Sequence, residues 1–307
     1  MERRTFLSTA AAALAAATTA PLALAQERPI RGRLQQPREG RLQQAREGLQ
    51  ERRQNRRGGV EPTKIPIAVQ LYSVRGAASR DLPGTLEAIA KMGYDGVEFA
   101  GYYGREIADI RKMLDDTGLK CCGTHTGLGE FRNNFDRTVE IHKILGGQFM
   151  IVPGGIDNYL HDAERNKQIA EEFNRLSEKA RAADLYIGYH AHGGDARLID
   201  GIPAWERFFA ATDQNVIQQM DIGNYKEGGG DPYAMIEKFP GRSKTVHLKE
   251  AGQGRPIIGS GTVDWERVFD LSETVGGVEW YVVEDEVGPD NLDRIEQCIV
   301  ALRGMGK

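Results

Sequence analysis

Residues 185–194 read LYIGYHAHGG, a short apolar run that ends in two of the chain's six histidines and a Gly-Gly break. Alternation along a strand puts His190 and His192 on one face and Tyr189 and Ala191 on the other. The preceding stretch, 162–183, has the apolar spacing of an amphipathic helix, so this part of the chain reads as a helix followed by a buried strand. Two imidazoles so close together suit either a ligand site or a hydrogen-bonded pair at the rim of a barrel.

The same alternation extends in both directions. Strands are expected at 65–71 (IPIAVQL), 95–99 (DGVEF), 119–124 (LKCCGT), 148–152 (QFMIV), 185–190 (LYIGYH), 216–221 (VIQQMD), 244–249 (KTVHLK) and 279–284 (EWYVVE). Helices fall between them near 82–92, 104–117, 132–145, 162–183, 203–211, 231–239 and 264–275, with a last one near 290–303. Short apolar strands alternating with amphipathic helices are the pattern of repeated βα units. Eight of each make a closed (β/α)8 TIM barrel, which takes roughly 250 residues of the 307 present. An open, doubly wound sheet would need a glycine-rich phosphate turn after its first strand, and Ser73-Val-Arg-Gly76 is not one.

The barrel is expected as a single domain over 65–307, behind two segments of other character. Residues 1–25 read as a twin-arginine signal peptide: Arg3-Arg4-Thr5-Phe6-Leu7, an alanine-rich stretch, then Ala23-Leu-Ala25 as a small-x-small cleavage site. Residues 26–64 carry the tandem repeat RLQQPREG and RLQQAREG, lack aromatics, and read as a disordered linker. Export, with a periplasmic location, is the expectation. Ten arginines and Lys64 against five glutamates give this linker about +6, and the signal adds about +1. The net charge of −4 therefore leaves about −11 on the barrel. An acidic body repels phosphates and disfavours a nucleic-acid partner. No transmembrane segment is expected in the mature chain. Cys121, Cys122 and Cys298 form neither a disulfide framework nor a metal knuckle and are assigned to packing.

Chemistry in such barrels sits at the C-terminal ends of the strands. Those ends offer Gln70, Glu98, His125 after the third strand, His190 and His192, Asp221, His247 and Lys249, and Glu284. His190, Asp221, His247 and Glu284 come from four consecutive strands. Two imidazoles and two carboxylates suit one divalent ion of the Mn, Co, Fe, Zn or Mg type. Lys249 shares a face with His247 and could hold an oxyanion or move a proton, or could simply pair with Glu250 or Glu284. Glu98 and His125 are expected across the mouth, as acid/base groups or hydroxyl contacts. His142 reads as a solvated helix position, and His161 as a loop residue. The stretch 259–265 (GSGTVDW) suits a ligand-approaching loop or a turn capped by Asp264.

These residues carry a resemblance. The stretches Leu185 to His192, Met220-Asp221-Ile-Gly-Asn224, Tyr233 to Arg242, Val246-His247-Leu-Lys249-Glu250, Gly259 to Trp265 and Val283-Glu284 resemble the sugar phosphate isomerase/epimerase family. These are the xylose isomerase-like barrels, which also include inosose dehydratases, ketose 3-epimerases and endonuclease IV. The resemblance implies one divalent metal on His190, Asp221, His247 and Glu284, and a small-molecule carbohydrate substrate. On this reading Lys249, Glu98, His192 or Glu284 transfers protons, and His125, Gln70 and Asn224 contact the substrate. The family's epimerases place a glutamate where His190 stands, so the resemblance here implies elimination next to a carbonyl more than two-carboxylate epimerisation. Export implies an unphosphorylated sugar or keto-sugar. The alternatives are a carbohydrate-binding barrel without activity and an endonuclease IV-like phosphodiesterase, which would need more ligands on the second to fourth strands.

Overall fold

The structure, a computed structural model, describes residues 64–307. The signal peptide assigned to 1–25 and the linker assigned to 26–64, apart from Lys64, lie outside the described residues.

Eight parallel strands close into a barrel: β1 (Ile67–Gln70), β2 (Gly96–Phe99), β3 (Lys120–His125), β4 (Phe149–Val152), β5 (Tyr186–His190), β6 (Ile217–Asp221), β7 (Thr245–Leu248) and β8 (Trp280–Val283). Each strand pairs with its neighbours in sequence, and β8 returns to β1 through Ile67↔Tyr281. A main helix follows each strand: α1 (Leu82–Lys91), α2 (Ile107–Thr117), α3 (Phe135–Leu145), α4 (Ala163–Ala182), α5 (Ala204–Ala211), α6 (Pro232–Lys238), α7 (Trp265–Leu271) and α8 (Leu292–Gly304), with shorter helices Arg75–Arg80, Leu128–Asn133, Asp157–Leu160 and Ile222–Glu227 in the same connections. This is the TIM barrel expected from the alternation. Aspartates begin several of the helices: Asp81, Asp162, Asp231 and Asp264 each accept a backbone N–H from the first turn of α1, α4, α6 and α7. A short hairpin, Leu198–Ile199 with Ile202–Pro203, interrupts the connection between β5 and α5. Its turn residues Asp200 and Gly201 have φ of 50° and 76°, the left-handed pair that a tight hairpin requires.

The strands divide their side chains between two cores. Outward residues such as Val69, Val97, Met150, Ile187, Met220, Val246 and Tyr281 pack beneath the helices. Behind β5 the packing is aromatic, with the Tyr189 ring 5.6 Å from Trp205 and 5.8 Å from Phe208. Inside the barrel, Ala68, Cys122 and Val282 form one small apolar cluster, and Phe149, Ile151 and Ile217 form another. Above them the interior becomes polar, with Gln70, Glu98, Gln219, Thr245 and His247 all fully buried.

A bulge decides which residues of β3 join that polar layer. The register runs Val97↔Cys121 and then Glu98↔Gly123, so Cys122 is an extra residue. The inward parity passes to Gly123 and His125. Gly123 admits no side chain, because a Cβ there would lie 2.6 Å from the Phe149 carbonyl oxygen and 3.4 Å from Glu98 Oε1.

The three cysteines are free and buried, as the packing assignment requires. His142 corrects its expectation. It is fully buried on α3, with Nε2 2.9 Å from Thr124 Oγ1 and Nδ1 2.8 Å from the Thr138 carbonyl. Burial pushes its pKa down, so it serves as a neutral strut between helix and strand.

Candidate metal centre at the barrel mouth

Four consecutive strands bring His190, Asp221, His247 and Glu284 together. One ligand atom from each lies within 4.8 Å of the others, and all four side chains are buried. His190 ends β5, Asp221 ends β6, His247 lies inside β7, and Glu284 follows β8 directly. Asp221 also begins the short helix Ile222–Glu227, accepting the Asn224 backbone N–H at 2.7 Å while Asn224 Nδ2 donates to its other oxygen at 3.0 Å. The helix-cap role and the site role of this aspartate coincide. Asn224, expected as a substrate contact, braces it.

Glu98 and His125 do not stand across the mouth, as expected, but directly against His247. Glu98 Oε2 accepts from Gln70 Nε2 at 2.7 Å and from His247 Nε2 at 2.7 Å, and lies 3.1 Å from His125 Nε2. Its Oε1 accepts from Gln219 Nε2 at 2.7 Å. The carboxylate is fully buried and engaged at both oxygens. Gln70 is tied in turn by the Tyr72 N–H, 3.1 Å from its Oε1. His125 stacks parallel to His247 at 5.4 Å between ring centroids.

Electrostatics separate the two histidines of the proposed ligand set. Burial, then the neighbouring imidazoles of His247, His125 and His192 and the Lys249 ammonium, push His190 well below the ordinary histidine range, so it is neutral. Burial acts the same way on His247. There it is outweighed by the Glu98 charge and by hydrogen bonds to Glu284 (Nδ1 to Oε2, 2.6 Å) and Glu98, which raise it to about 10. Burial also raises Asp221 to about 7, against the pull of Lys249. At Glu284 the His247 hydrogen bond and charge prevail over burial and bring the carboxyl to about 2. Glu98 is held well below the usual carboxylate range because His125 and His247 more than offset its burial.

The donor set fits a divalent cation. Neutral His190 directs Nδ1 to Gln219 Oε1 at 3.1 Å, and that oxygen can only accept, so the ring proton is on Nδ1. Its Nε2 therefore presents a lone pair 3.9 Å from Asp221 Oδ2 and 3.7 Å from Glu284 Oε2. Three acceptor atoms face one another, an arrangement that a cation would satisfy. His247 would keep Nε2–H on Glu98 and offer Nδ1, the common pattern of a carboxylate orienting a metal-bound histidine.

At the rim, His192 lies edge-on to His190 at 4.8 Å, partly exposed, with burial lowering its pKa. Lys249 pairs with Glu286, not with the Glu250 or Glu284 considered from sequence. Burial would lower its pKa, but Asp221, Glu284 and Glu286 hold it above the usual lysine range. Glu250 instead fastens the 259–265 loop, accepting from Gly259 N, Val263 N and Trp265 Nε1. That loop is a braced turn into α7. A cavity of about 360 Å³ opens beside the centre, lined in part by Tyr72, Asn224, Lys249, Arg255, Glu284 and Glu286. Gln219 and Glu286 were not singled out from sequence. Gln219 carried a signal, a polar side chain two residues before Asp221 in a buried strand, whereas Glu286 lies in a loop where periodicity says nothing.

Among the described residues, two further groupings involve histidine. His125, His190 and His247 form one, and Asp157, His161 and Asp195 form another in the loops after β4 and β5. In the second, His161 Nε2 lies 2.9 Å from the Gly194 carbonyl oxygen, so the loop residue noted in the sequence ties two connections together.

Comparison with known proteins identifies relatives of this barrel. Inosose dehydratase from Klebsiella pneumoniae is 26% identical over 258 residues, covering 69% of this chain and 85% of its own length. The crystal structure of a sugar phosphate isomerase/epimerase from Parabacteroides distasonis superposes with a TM-score of 0.69 at 26% identity, covering 79% of this chain and 95% of that one. An L-ribulose 3-epimerase shares the fold at a TM-score of 0.61 and 17% identity, covering 79% of this chain and 94% of its own. Residues 86–302 match the family described as xylose isomerase-like TIM barrel, and the chain belongs to that family.

Proposed function

We propose that this chain is a divalent metal-dependent enzyme that removes a proton next to the carbonyl of an unphosphorylated sugar or keto-sugar, and that it works as a dehydratase. The observation that carries the reading is the convergence of His190, Asp221, His247 and Glu284, with three acceptor atoms facing one another. The inosose dehydratase relatives support elimination. So does His190, which cannot serve as a second carboxylate base. A divalent cation held by these four residues would polarise the substrate carbonyl and adjacent hydroxyl.

The remaining roles follow from exposure and charge. Glu98 is sealed and saturated with donors, so it orients His247 and moves no proton. His192, kept neutral by burial and partly exposed, takes the proton from carbon. Lys249, an ammonium at neutral pH, lines the cavity and delivers a proton to the departing hydroxyl. The C–H and C–O bonds break, a C=C bond forms, and water leaves. His125 and Gln70 set the floor beneath the substrate.

The test is metal analysis of the purified protein, followed by a screen of keto-sugars and 3-keto-glycosides in deuterated water. Expected are bound divalent metal, turnover that EDTA abolishes, and a product lacking one water. Solvent exchange with no loss of water would replace elimination by isomerisation. Sugar binding that survives EDTA without turnover would favour a non-catalytic carbohydrate-binding barrel. Export is part of the proposal and rests on Arg3 and Arg4. Cell fractionation should find the protein in the periplasm and find the Arg3→Lys, Arg4→Lys double variant in the cytoplasm; equal distribution of the two would remove export from the proposal.

A further inference from the structure

We propose that Gln219 is the positioning residue of this centre: one buried carboxamide sets the ring tautomers of two histidines, His190 on the metal side and His125 on the substrate side. The proposal rests on the reading of His190 as a metal ligand. Gln219 lies on β6, two residues before Asp221, and is fully buried. Its orientation is dictated by its neighbours. Gln219 Nε2 lies 2.7 Å from Glu98 Oε1, whose partner oxygen already accepts from Gln70 Nε2 and His247 Nε2, and a carboxylate oxygen is an acceptor. The amino group must therefore face Glu98, and its second hydrogen reaches Thr245 Oγ1 at 3.0 Å. The amide oxygen is left pointing at two rings, His125 Nε2 at 2.8 Å and His190 Nδ1 at 3.1 Å.

An amide oxygen can only accept, so both nitrogens facing it carry hydrogen. His190 becomes the Nδ1–H tautomer, with Nε2 bare toward Asp221 and Glu284. His125 carries its hydrogen on Nε2, also 3.1 Å from Glu98 Oε2. Its Nδ1 has no hydrogen-bond partner among the described residues and is not sealed from solvent. That nitrogen is an acceptor for a substrate hydroxyl. Were the amide reversed, Glu98 would face another acceptor, and His190 would be driven to the opposite tautomer, with N–H directed into the metal position.

The tautomers can be read directly by long-range ¹H–¹⁵N correlation of the histidine rings in metal-free protein at neutral pH. Wild type should show His190 as Nδ1–H and His125 with Nε2 protonated. Finding His190 as Nε2–H in wild type overturns the proposal, whatever the protein does with metals. Gln219→Met keeps the length and removes both polar ends. It should give a mixture of tautomers at both rings and bind Co²⁺ about 10- to 100-fold more weakly, with an altered cobalt absorption spectrum. Thr245→Val removes only one tether of the amide and should fold if Gln219→Met does not; it should produce a smaller shift in the same direction. Wild-type tautomers and Co²⁺ affinity retained in either folded variant would reduce Gln219 to a packing residue. Correct tautomers in a protein that binds no divalent metal would instead dismiss the metal reading and leave the hydrogen-bond assignment standing.

Discussion

His247 gives the most exacting test of the centre, because the cation and a proton compete for the same nitrogen. Its Nδ1 lies 2.6 Å from Glu284 Oε2 and its Nε2 lies 2.7 Å from Glu98 Oε2, and the two carboxylates raise it to about 10. At pH 7 the ring is therefore an imidazolium, and Nδ1 must shed its proton before it can bind metal. Three pH units at about 1.4 kcal/mol each place that cost near ~4 kcal/mol, an apparent affinity roughly a thousandfold below its alkaline ceiling. Asp221, at about 7, is half protonated there and adds about half a proton. His190 is already neutral and contributes none. Binding of Mn²⁺ at pH 7 should thus release roughly 1.5 protons, and affinity should rise about tenfold per unit above pH 7.5 and more steeply below 7. Calorimetry in buffers of different ionisation enthalpy, repeated from pH 6 to 8.5, measures both quantities. Glu98→Gln removes the charge that favours the imidazolium and should reduce the proton release. Flat affinity across this range, with fewer than about 0.3 protons released, would refute the assignment of His247 as a ligand.

The proton-transfer roles, the loops and the bulge offer separate checks. Lys249→Met removes the ammonium that donates to the leaving hydroxyl; kcat should fall by about 100-fold or more, while metal affinity rises because a positive charge beside Asp221 and Glu284 is gone. Weakened metal binding would count against it. Asp195 is buried, accepts the His192 N–H at 2.7 Å, and has its pKa raised by burial to about 7. A carboxyl raised in the folded state binds more protons there than in the unfolded chain, so its contribution to stability is lost as pH rises from about 4 to 7. Against wild type, Asp195→Asn should gain about 2–4 kcal/mol across that window in urea unfolding; a constant gap would contradict the shift. Gly123→Ala places a methyl against the Phe149 carbonyl and should cost about 2–3 kcal/mol and weaken metal binding with it, whereas wild-type stability would mean that β3 yields without strain.

What the sequence revealed and what it concealed divide along one line. Short apolar runs between amphipathic helices were enough to find the strands, and counting strand ends was enough to bring His190, Asp221, His247 and Glu284 to one half of the mouth, because each sits at the inward parity of an unbroken strand. His125 fell outside that logic. Its side chain turns inward only because Cys122 is an extra residue opposite the step from Val97 to Glu98, and two adjacent cysteines in an apolar run give no sign of a bulge. Once the parity shifts, His125 and Glu98 meet, and the group expected across the mouth becomes the support beneath His247. The paired glutamines show the same limit from the other side. Gln218 and Gln219 look alike in sequence, yet one residue of alternation sends the first outward, where it bonds Trp205 Nε1 at 3.3 Å and Ser243 Oγ at 2.9 Å, and the second inward to Glu98 and two histidines. Burying two carboxamides in one strand costs the desolvation of both unless every polar atom is met, and here each is met by a different layer of the fold. A polar residue in a buried barrel strand therefore marks a network, while the identity of its partners depends on a register that only the closed barrel supplies.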